Sequence, residues 1–316
     1  MTDASIPDFT SGVRSVTSSR SIVPSRRLTD AEIARFRSDG FLLRKGFFAV
    51  DEIQPLIDVF NNQEIEPVEP ASFDNGGQAQ EVATWVRLGN DLCGVFPRVA
   101  RMVEAAEAVL GLPVYHWHSK LVTKHPGSSG SWNWQQDYGY WYGEGTLYPD
   151  FATIAVALDR IDRDIGCLRL VRGSHRCGRI DVKKFGEASS ADPERINWIF
   201  ERHETVDCEM APGDIVMFHS NTLYASGPNT SDRPHTLIHC TYNAIDNVPL
   251  GARPENRTIQ PMVKLPDDVL AKREYDGILK HLQFVRLDGD QGRSNPGYRL
   301  PKRAPGSIGR RFGRHR

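Results

Sequence analysis

The chain has 316 residues, and its 39 Lys and Arg against 40 Asp and Glu give a formal net charge of −1 at pH 7. With 39% hydrophobic and 25% charged residues, it has the composition of a soluble globular protein. The near-neutral charge argues against nucleic acid or a membrane surface as a partner, and no apolar stretch approaches the ~20 residues needed to span a bilayer. The five cysteines are scattered without a C-x-x-C pair, which favours reduced thiols in a cytoplasmic protein over a disulfide or zinc framework.

Composition divides the chain into three segments. Residues 1–26 are polar and poor in large apolar side chains, which predicts a flexible arm. Residues 286–316 are rich in Gly, Pro and Arg, which predicts a basic tail without a packed core. Residues 27–285 lie between them and are expected to form one folded domain.

Helix signals dominate the first third of this domain. Thr29 and Glu32 have the spacing of a capping box, and Gly40 follows where the helix should end. A second helix is predicted over about 51–62, and a third over 98–111 from apolar residues at helical spacing. A fourth helix is predicted over 265–283, packed outside the rest of the domain.

Strand signals dominate the second half. Short runs rich in Val, Ile, Leu, Thr and aromatic residues are bounded by Gly, Pro, Asn or Asp. The runs are LPVYHWHSKLVTKHPG, TIAVALDRI, CLRLVRGSH, DIVMFHSNTLYASG and HTLIHCTYNAI. This texture predicts an antiparallel, mainly β body with flanking helices, arranged as a jelly-roll or barrel.

Several longer motifs occur in a recognisable order: WQQDYGYWY, IGCLRLVRGSHRCGRID, APGDIVMFHSNTL and YASGPNTSDRPH. Over most of residues 28–250 the chain resembles the phytanoyl-CoA dioxygenase family of Fe(II)/2-oxoglutarate-dependent oxygenases. The resemblance implies a double-stranded β-helix, a cupin-like jelly-roll with a pocket between its sheets. It also implies Fe(II) and 2-oxoglutarate as cofactors and the hydroxylation or oxidation of a small organic metabolite, for example in specialised metabolism.

The resemblance also implies where the site lies. In the family a His-x-Asp motif and a later His hold the iron, and an Arg eleven residues after that His grips the far carboxylate of 2-oxoglutarate. The matching positions here are Gln135, Asp137, Tyr224 and His235, so the metal-binding triad is degraded while the spacing of eleven is kept. Alternation along a strand is expected to point residues 135 and 137 to the same side.

The substituted residues are poor replacements. A Gln carbonyl is neutral, a Tyr hydroxyl has a reference pKa of about 10, and a neutral imidazole does not offer the two-pronged fork of an Arg. We expect Asp137, Gln135 and Tyr224 to occupy the metal positions, and His235 and Gln135 to face the cofactor, with iron binding much weakened.

Other candidate residues have both a functional and a structural interpretation. A relocated metal site is considered for His116, His118 and His239, against the simpler expectation of hydrogen-bonded core histidines. Lys120 and Lys124 are candidates for an anionic ligand, against the simpler expectation of surface lysines. Six aromatic residues are candidates for an apolar substrate pocket, with about half expected in the core: Trp132, Trp134, Tyr138, Tyr140, Trp141 and Tyr142.

Three functions remain open at this stage. The first is an oxygenase in which Asp137 binds the metal with Gln135 and Tyr224 as unusual partners. The second is a metal-free, non-catalytic descendant that serves as a binding or scaffold subunit, as a homo-oligomer or paired with an active related dioxygenase. The third is a metal-independent enzyme in which Asp137, Tyr224 and His235 transfer protons.

Overall fold

The computed structural model describes residues 27–61, 66–67, 72–73, 79–127, 130–185, 188–250, 257–278 and 298–299. Helices α1 to α6 within these residues are Asp30–Asp39, Val50–Asn61, Leu92–Val95, Ala100–Leu110, Asp137–Trp141 and Pro193–Phe200. Strands β1 to β15 are Phe41–Arg44, Glu66–Pro67, Ser72–Phe73, Ala79–Trp85, Val114–Lys124, Trp132–Gln135, Phe151–Ala157, Leu168–Val171, Val182–Phe185, Ala188–Ala191, Thr205–Cys208, Ile215–His219, Tyr224–Ser226, His235–Ala244 and Tyr298–Arg299.

The predicted terminal segments fall largely outside this part of the chain. The arm, residues 1–26, lies outside the described residues, and so does the tail apart from β15. Strand β15 pairs antiparallel with β2. None of the helices in the described residues is long and apolar enough to cross a membrane.

Two antiparallel sheets form the body of the fold. The larger sheet has seven strands in the order β1-β12-β7-β14-β5-β4-β3, and the smaller has four in the order β11-β8-β13-β6. Phe218 of the larger sheet and Leu170 of the smaller sheet belong to one buried apolar cluster between the sheets. The predicted jelly-roll, a mainly β double-stranded β-helix with flanking helices, is confirmed.

Strand β14 is buried on both of its faces. Every residue of β14 is buried. Ile238 and Cys240 belong to the cluster that includes Leu56 of α2 and Met102 of α4, so helices cover this face of the sheet. Leu237 belongs to the cluster between the two sheets. His235 and His239 share the face of Leu237 because side chains alternate along a strand, and this places two imidazoles inside the jelly-roll.

The first three predicted helices are confirmed. Thr29 accepts a hydrogen bond from the backbone N–H of Glu32, whose carboxylate accepts one from the backbone N–H of Thr29, so the capping box of α1 is complete. Helices α1 and α4 each end at a glycine with left-handed backbone, Gly40 at φ 82° and Gly111 at φ 76°. These local signals were sufficient to predict where the helix begins, because both residues of the capping box lie within one helical turn.

The helix predicted over 265–283 is wrong for the described residues 265–278, which form turns. Val269 and Leu270 are buried against the helical layer, so the apolar residues do find a core. Arg273 adopts a positive φ of 55°, and Gly277 one of 105°, which a continuous helix does not permit. Residues 279–283 lie outside the described part of the chain.

Candidate functional site

The smaller sheet brings the predicted metal positions together. Gln135 ends β6 and is the direct cross-strand neighbour of Tyr224, the first residue of β13. A one-residue irregularity in β6 between these two strands is a β-bulge, and such bulges re-aim side chains. Alternation along a strand predicted that residues 135 and 137 point to the same side. This prediction is wrong, because Asp137 begins helix α5 instead of continuing β6.

Gln136 explains why the chain turns at this point. Its side-chain amide donates to the carbonyl of Asn221 at 2.6 Å and accepts from the backbone N–H of Ile180 at 2.7 Å. Gln136 is fully buried and anchored on both sides. The turn brings the Asp137 carboxylate within hydrogen-bond distance of the Tyr224 hydroxyl, although the two residues lie in different elements.

A continuous chain of hydrogen bonds joins these side chains. The Tyr140 hydroxyl donates to Oε1 of Gln135 at 2.9 Å. Nε2 of Gln135 donates to the Tyr224 hydroxyl at 2.7 Å, and that hydroxyl donates to Oδ1 of Asp137 at 2.8 Å. Gln135, Asp137 and Tyr224 are each at most 7% exposed. The side chains at the three predicted metal positions are therefore joined by hydrogen bonds and buried.

Burial controls the protonation of this chain. Burial raises the pKa of Asp137, and the effect is partly offset by Lys120 and by hydrogen bonds with Tyr224 and Thr153. Burial also raises the pKa of Tyr224 well above its ordinary value, and the neighbouring charge of Asp137 raises it further. The Tyr224 hydroxyl therefore keeps its proton at neutral pH and acts as a donor to Asp137.

These donors do not fit Fe(II). An Fe(II) site of this type needs two neutral imidazoles and a carboxylate on one face of the metal. Here only Asp137 is an anionic donor, Gln135 and Tyr224 are held by hydrogen bonds, and the Tyr224 phenol resists ionisation. Within the described residues, no three His, Cys, Asp or Glu side chains form a group that could hold a metal ion.

His235 lies on the inner face of β14, directly opposite Lys124 of β5. It is 1% exposed, and neither ring nitrogen has a hydrogen-bond partner among the described residues. Burial lowers its pKa well below the ordinary value, and Lys124 and His239 lower it further. A neutral imidazole offers one donor and one acceptor, so His235 does not supply the fork of an Arg at this position.

A cavity of about 20 Å³ lies between the sheets at this site, room for one or two waters or a group of that size. Lys120 and Trp132 are the lining side chains that are partly exposed, which locates the opening beside them. The lining residues are Lys120, Val122, Trp132, Asp137, Thr153, Leu168, Tyr224, Ser226, His235, Leu237, His239 and Thr241.

The three histidines considered for a relocated metal site differ from one another. His116 is a hydrogen-bonded core residue, as the structural interpretation expected, with contacts to the Val86 carbonyl at 2.9 Å and the Ser119 hydroxyl at 2.8 Å. His118 is buried with neither ring nitrogen bonded among the described residues, and its ring lies 5.5 Å from that of Trp141. His239 lines the cavity.

The six aromatic candidates divide between site and core. Trp132 lines the cavity, and Tyr140 donates to the hydrogen-bond chain. Tyr138 and Trp141 belong to a buried apolar cluster, and Trp134 packs on Phe200 at a ring distance of 4.9 Å. Tyr142 is 45% exposed.

One lysine and two threonines differ from what the sequence led us to expect. Lys124 is 4% exposed rather than on the surface, and its ammonium donates to the Ser226 hydroxyl and the Gly227 carbonyl. Thr153 and Thr241 line the cavity with their hydroxyls 2.9 Å apart. Thr153 is the one polar residue in the strand FATIAVA, and this break in an apolar run was the available signal.

Comparisons with known proteins agree with this architecture. The chain is 26% identical over 241 residues to L-proline trans-4-hydroxylase of Streptomyces griseoviridis, covering 71% of this chain and 90% of that protein. It is also 26% identical over 253 residues to an ectoine dioxygenase of Bordetella parapertussis, covering 72% of this chain and 82% of that protein.

A similar fold is found in solved structures. The crystal structure of EctD from S. alaskensis in its apoform superposes with a TM-score of 0.62 at 22% identity, over 76% of this chain and 89% of that one. The profile of the family described as Phytanoyl-CoA dioxygenase (PhyH) matches residues 36–236, more than half of the sequence. With its jelly-roll and the position of its site, the chain belongs to the phytanoyl-CoA dioxygenase family, whose relatives named above are oxygenases.

Proposed function

We propose that this chain is a metal-independent member of the family, which binds a small organic molecule in the cavity without iron-dependent oxygenation. The observation that carries the proposal is the hydrogen-bond chain from Tyr140 through Gln135 and Tyr224 to Asp137. By resemblance, Gln135, Asp137 and Tyr224 stand at the family's iron positions, and with Tyr140 they form hydrogen bonds to one another that need no metal.

Iron binding here would require several unfavourable steps at once. The hydrogen bonds of Tyr224 to Gln135 and Asp137 would have to break, and each buried group that loses its partner costs about 1–3 kcal/mol. Tyr224 would also have to lose a proton although burial raises its pKa. Even groups outside the direct ligands change metal affinity by roughly 10–100-fold in metal sites, so replacing two ligands has a larger effect.

Iron-dependent oxygenation stays the second candidate because of one observation. The retained carboxylate of Asp137 and the residues at the other metal positions converge at one buried point. The third function, acid–base catalysis, has Asp137 and Tyr224 in contact, but His235 makes no hydrogen bond to either of them.

Metal content decides between the two candidates. Protein purified without affinity metals is supplied anaerobically with Fe(II), desalted and analysed for iron, and consumption of 2-oxoglutarate is then measured in air. We expect well under one iron per chain and no consumption. The matched control is the triple variant Gln135→His, Tyr224→His and His235→Arg, which restores the family's donor types and is expected to gain iron.

Stoichiometric iron with 2-oxoglutarate turnover in the unaltered chain would contradict the proposal. A metal-independent chain could also serve as a scaffold subunit for an active relative, and this has its own test. Co-expression with a His-x-Asp homologue followed by size-exclusion chromatography shows whether the two chains form a complex.

A further inference from the structure

Lys124 is a lysine buried between the two sheets. It ends β5 and is 4% exposed, and its ammonium crosses to the smaller sheet, where it donates to the Ser226 hydroxyl and the Gly227 carbonyl. Both acceptors are uncharged, and none of the carboxylates in the described residues contacts this ammonium. A buried cation without a counter-ion is unfavourable, so a lysine in this setting releases its proton more readily than an exposed one.

The amine of Lys124 is therefore available in its neutral form. Burial lowers the pKa of Lys124 to about 7, and an interaction with Cys167 raises it by less. Burial raises the pKa of the Cys167 thiol to about 11, so this group is uncharged at neutral pH. An ordinary lysine has a pKa of about 10.4, and its neutral fraction at pH 7 is on the order of a thousandfold smaller. The neutral amine is the form of lysine that attacks a carbonyl carbon.

The residue directly opposite Lys124 is able to transfer protons. His235 of β14 is paired with Lys124 across two antiparallel strands, where facing Cβ atoms lie ~4.5–5.5 Å apart. It is 1% exposed, and neither of its ring nitrogens has a hydrogen-bond partner among the described residues. Burial, Lys124 and His239 all lower its pKa, so the ring is neutral and offers one proton donor and one acceptor.

The cavity between the sheets reaches this pair of residues. His235 and Ser226 both line the cavity, so the Lys124 ammonium lies one hydrogen bond behind its wall. The volume of about 20 Å³ suits a group of about two heavy atoms, such as a carbonyl. Val122 and Leu237 give the cavity apolar walls against which a carbon chain packs. A nucleophilic amine, a proton-transfer group and an apolar pocket thus meet at one place.

We propose that Lys124 is a covalent binding site for a small aldehyde, which it holds as a Schiff base in the cavity. This inference rests on the metal-independent pocket proposed above and names its substrate class. The Lys124 nitrogen bonds to the carbonyl carbon, and His235 takes a proton from the nitrogen and passes one to the oxygen, which gives a carbinolamine. The same exchange of protons releases the hydroxyl as water, and the C=N bond forms. One amine and one aldehyde give one imine and one water, so no oxidant or metal is needed.

Reductive trapping tests this site. The unaltered chain is incubated in EDTA with propionaldehyde or benzaldehyde and sodium cyanoborohydride, which reduces an imine to a stable secondary amine. Labelled lysines are located by peptide mass spectrometry, and propanol and benzyl alcohol are the controls without a carbonyl group. Lys272 is the reference amine in the same digest, because it is exposed and Asp268 raises its pKa. We expect Lys124 to be labelled at least tenfold faster than Lys272 at pH 7.5, and Lys124→Met to lose the label.

The pH dependence separates this amine from an ordinary one. Labelling of Lys124 should rise between pH 6 and pH 8 and then level off, because its amine is by then neutral, whereas labelling of Lys272 should continue to rise beyond pH 9. His235→Phe removes the proton-transfer group and keeps the amine, so labelling of Lys124 should become at least tenfold slower.

Labelling of Lys124 no faster than that of Lys272, or a Lys124 profile that follows the Lys272 profile up to pH 9, would overturn the inference. Both readouts use the unaltered chain, so they do not depend on the folding of a variant. An unchanged rate in folded His235→Phe would overturn the proton transfer by His235. A chain that stays unlabelled leaves the iron measurement as it is, whereas stoichiometric iron with 2-oxoglutarate turnover would overturn the proposed function whatever the label shows.

Discussion

Replacing Tyr224 by Phe tests the hydrogen-bond chain most directly. The substitution removes one hydroxyl and leaves Nε2 of Gln135 without its acceptor and Oδ1 of Asp137 without its donor. Each unpaired buried group costs about 1–3 kcal/mol, so the free energy of unfolding should fall by about 2–5 kcal/mol. At ~2–4 °C per kcal/mol for a large domain, the melting temperature should fall by roughly 5–15 °C.

The loss of stability in Tyr224→Phe should also depend on pH. Burial raises the pKa of Asp137 above its value in the unfolded chain, so this group's contribution to stability is greatest at low pH and is lost as the pH rises through the folded pKa. The Tyr224 hydrogen bond lowers that pKa, and Tyr224→Phe therefore raises it further. Urea denaturation should show a larger loss at pH 8 than at pH 5.

Tyr242→Phe is the matched control. Tyr242 is fully buried, and its hydroxyl donates to the carbonyl of Pro97 at 2.7 Å, so its loss leaves one neutral acceptor unpaired. We expect a smaller loss of stability that is the same at pH 5 and pH 8. A Tyr224→Phe variant within about 0.5 kcal/mol of the unaltered chain at both pH values, the range of ordinary surface substitutions, would refute the buried hydrogen-bond chain.

Three further expectations concern a buried lysine, a glycine with a positive φ and a buried ion pair. Burial lowers the pKa of Lys124 to about 7, below its value in the unfolded chain, so the free energy of unfolding should rise as the pH rises from 7 towards 10, and Lys124→Met should remove that rise in urea denaturation. Gly166→Ala should cost more than about 2 kcal/mol in urea denaturation, because φ is +77° and the new Cβ would lie 2.2 Å from the Gly227 carbonyl oxygen. Arg101→Met should cost about 3–5 kcal/mol in the same assay by leaving Glu52 without its buried partner, and Arg101→Lys should recover part of the loss.

Much of the fold was accessible from local sequence signals. The capping box at Thr29 and Glu32, the glycines that end α1 and α4, and the strand-rich runs from residue 112 onwards all act within a few residues. Over 265–278 the same reasoning failed, because apolar spacing typical of a helix was satisfied instead by turns that bury Val269 and Leu270. The spacing of apolar residues predicts which side chains are buried. Packing in the folded protein determines whether a helix or a series of turns buries them.

The sequence alone predicted the jelly-roll, and by resemblance it named four candidate site positions, with the spacing of eleven between Tyr224 and His235 kept. Tertiary structure decided which contacts those residues make. It placed Asp137 on a helix within hydrogen-bond distance of Tyr224, joined Gln135 to the same hydroxyl, and set Lys120 and Lys124 opposite two imidazoles. Such contacts join strands far apart along the chain, so hydrogen bonding, burial and charge balance at the site arise only when the two sheets come together.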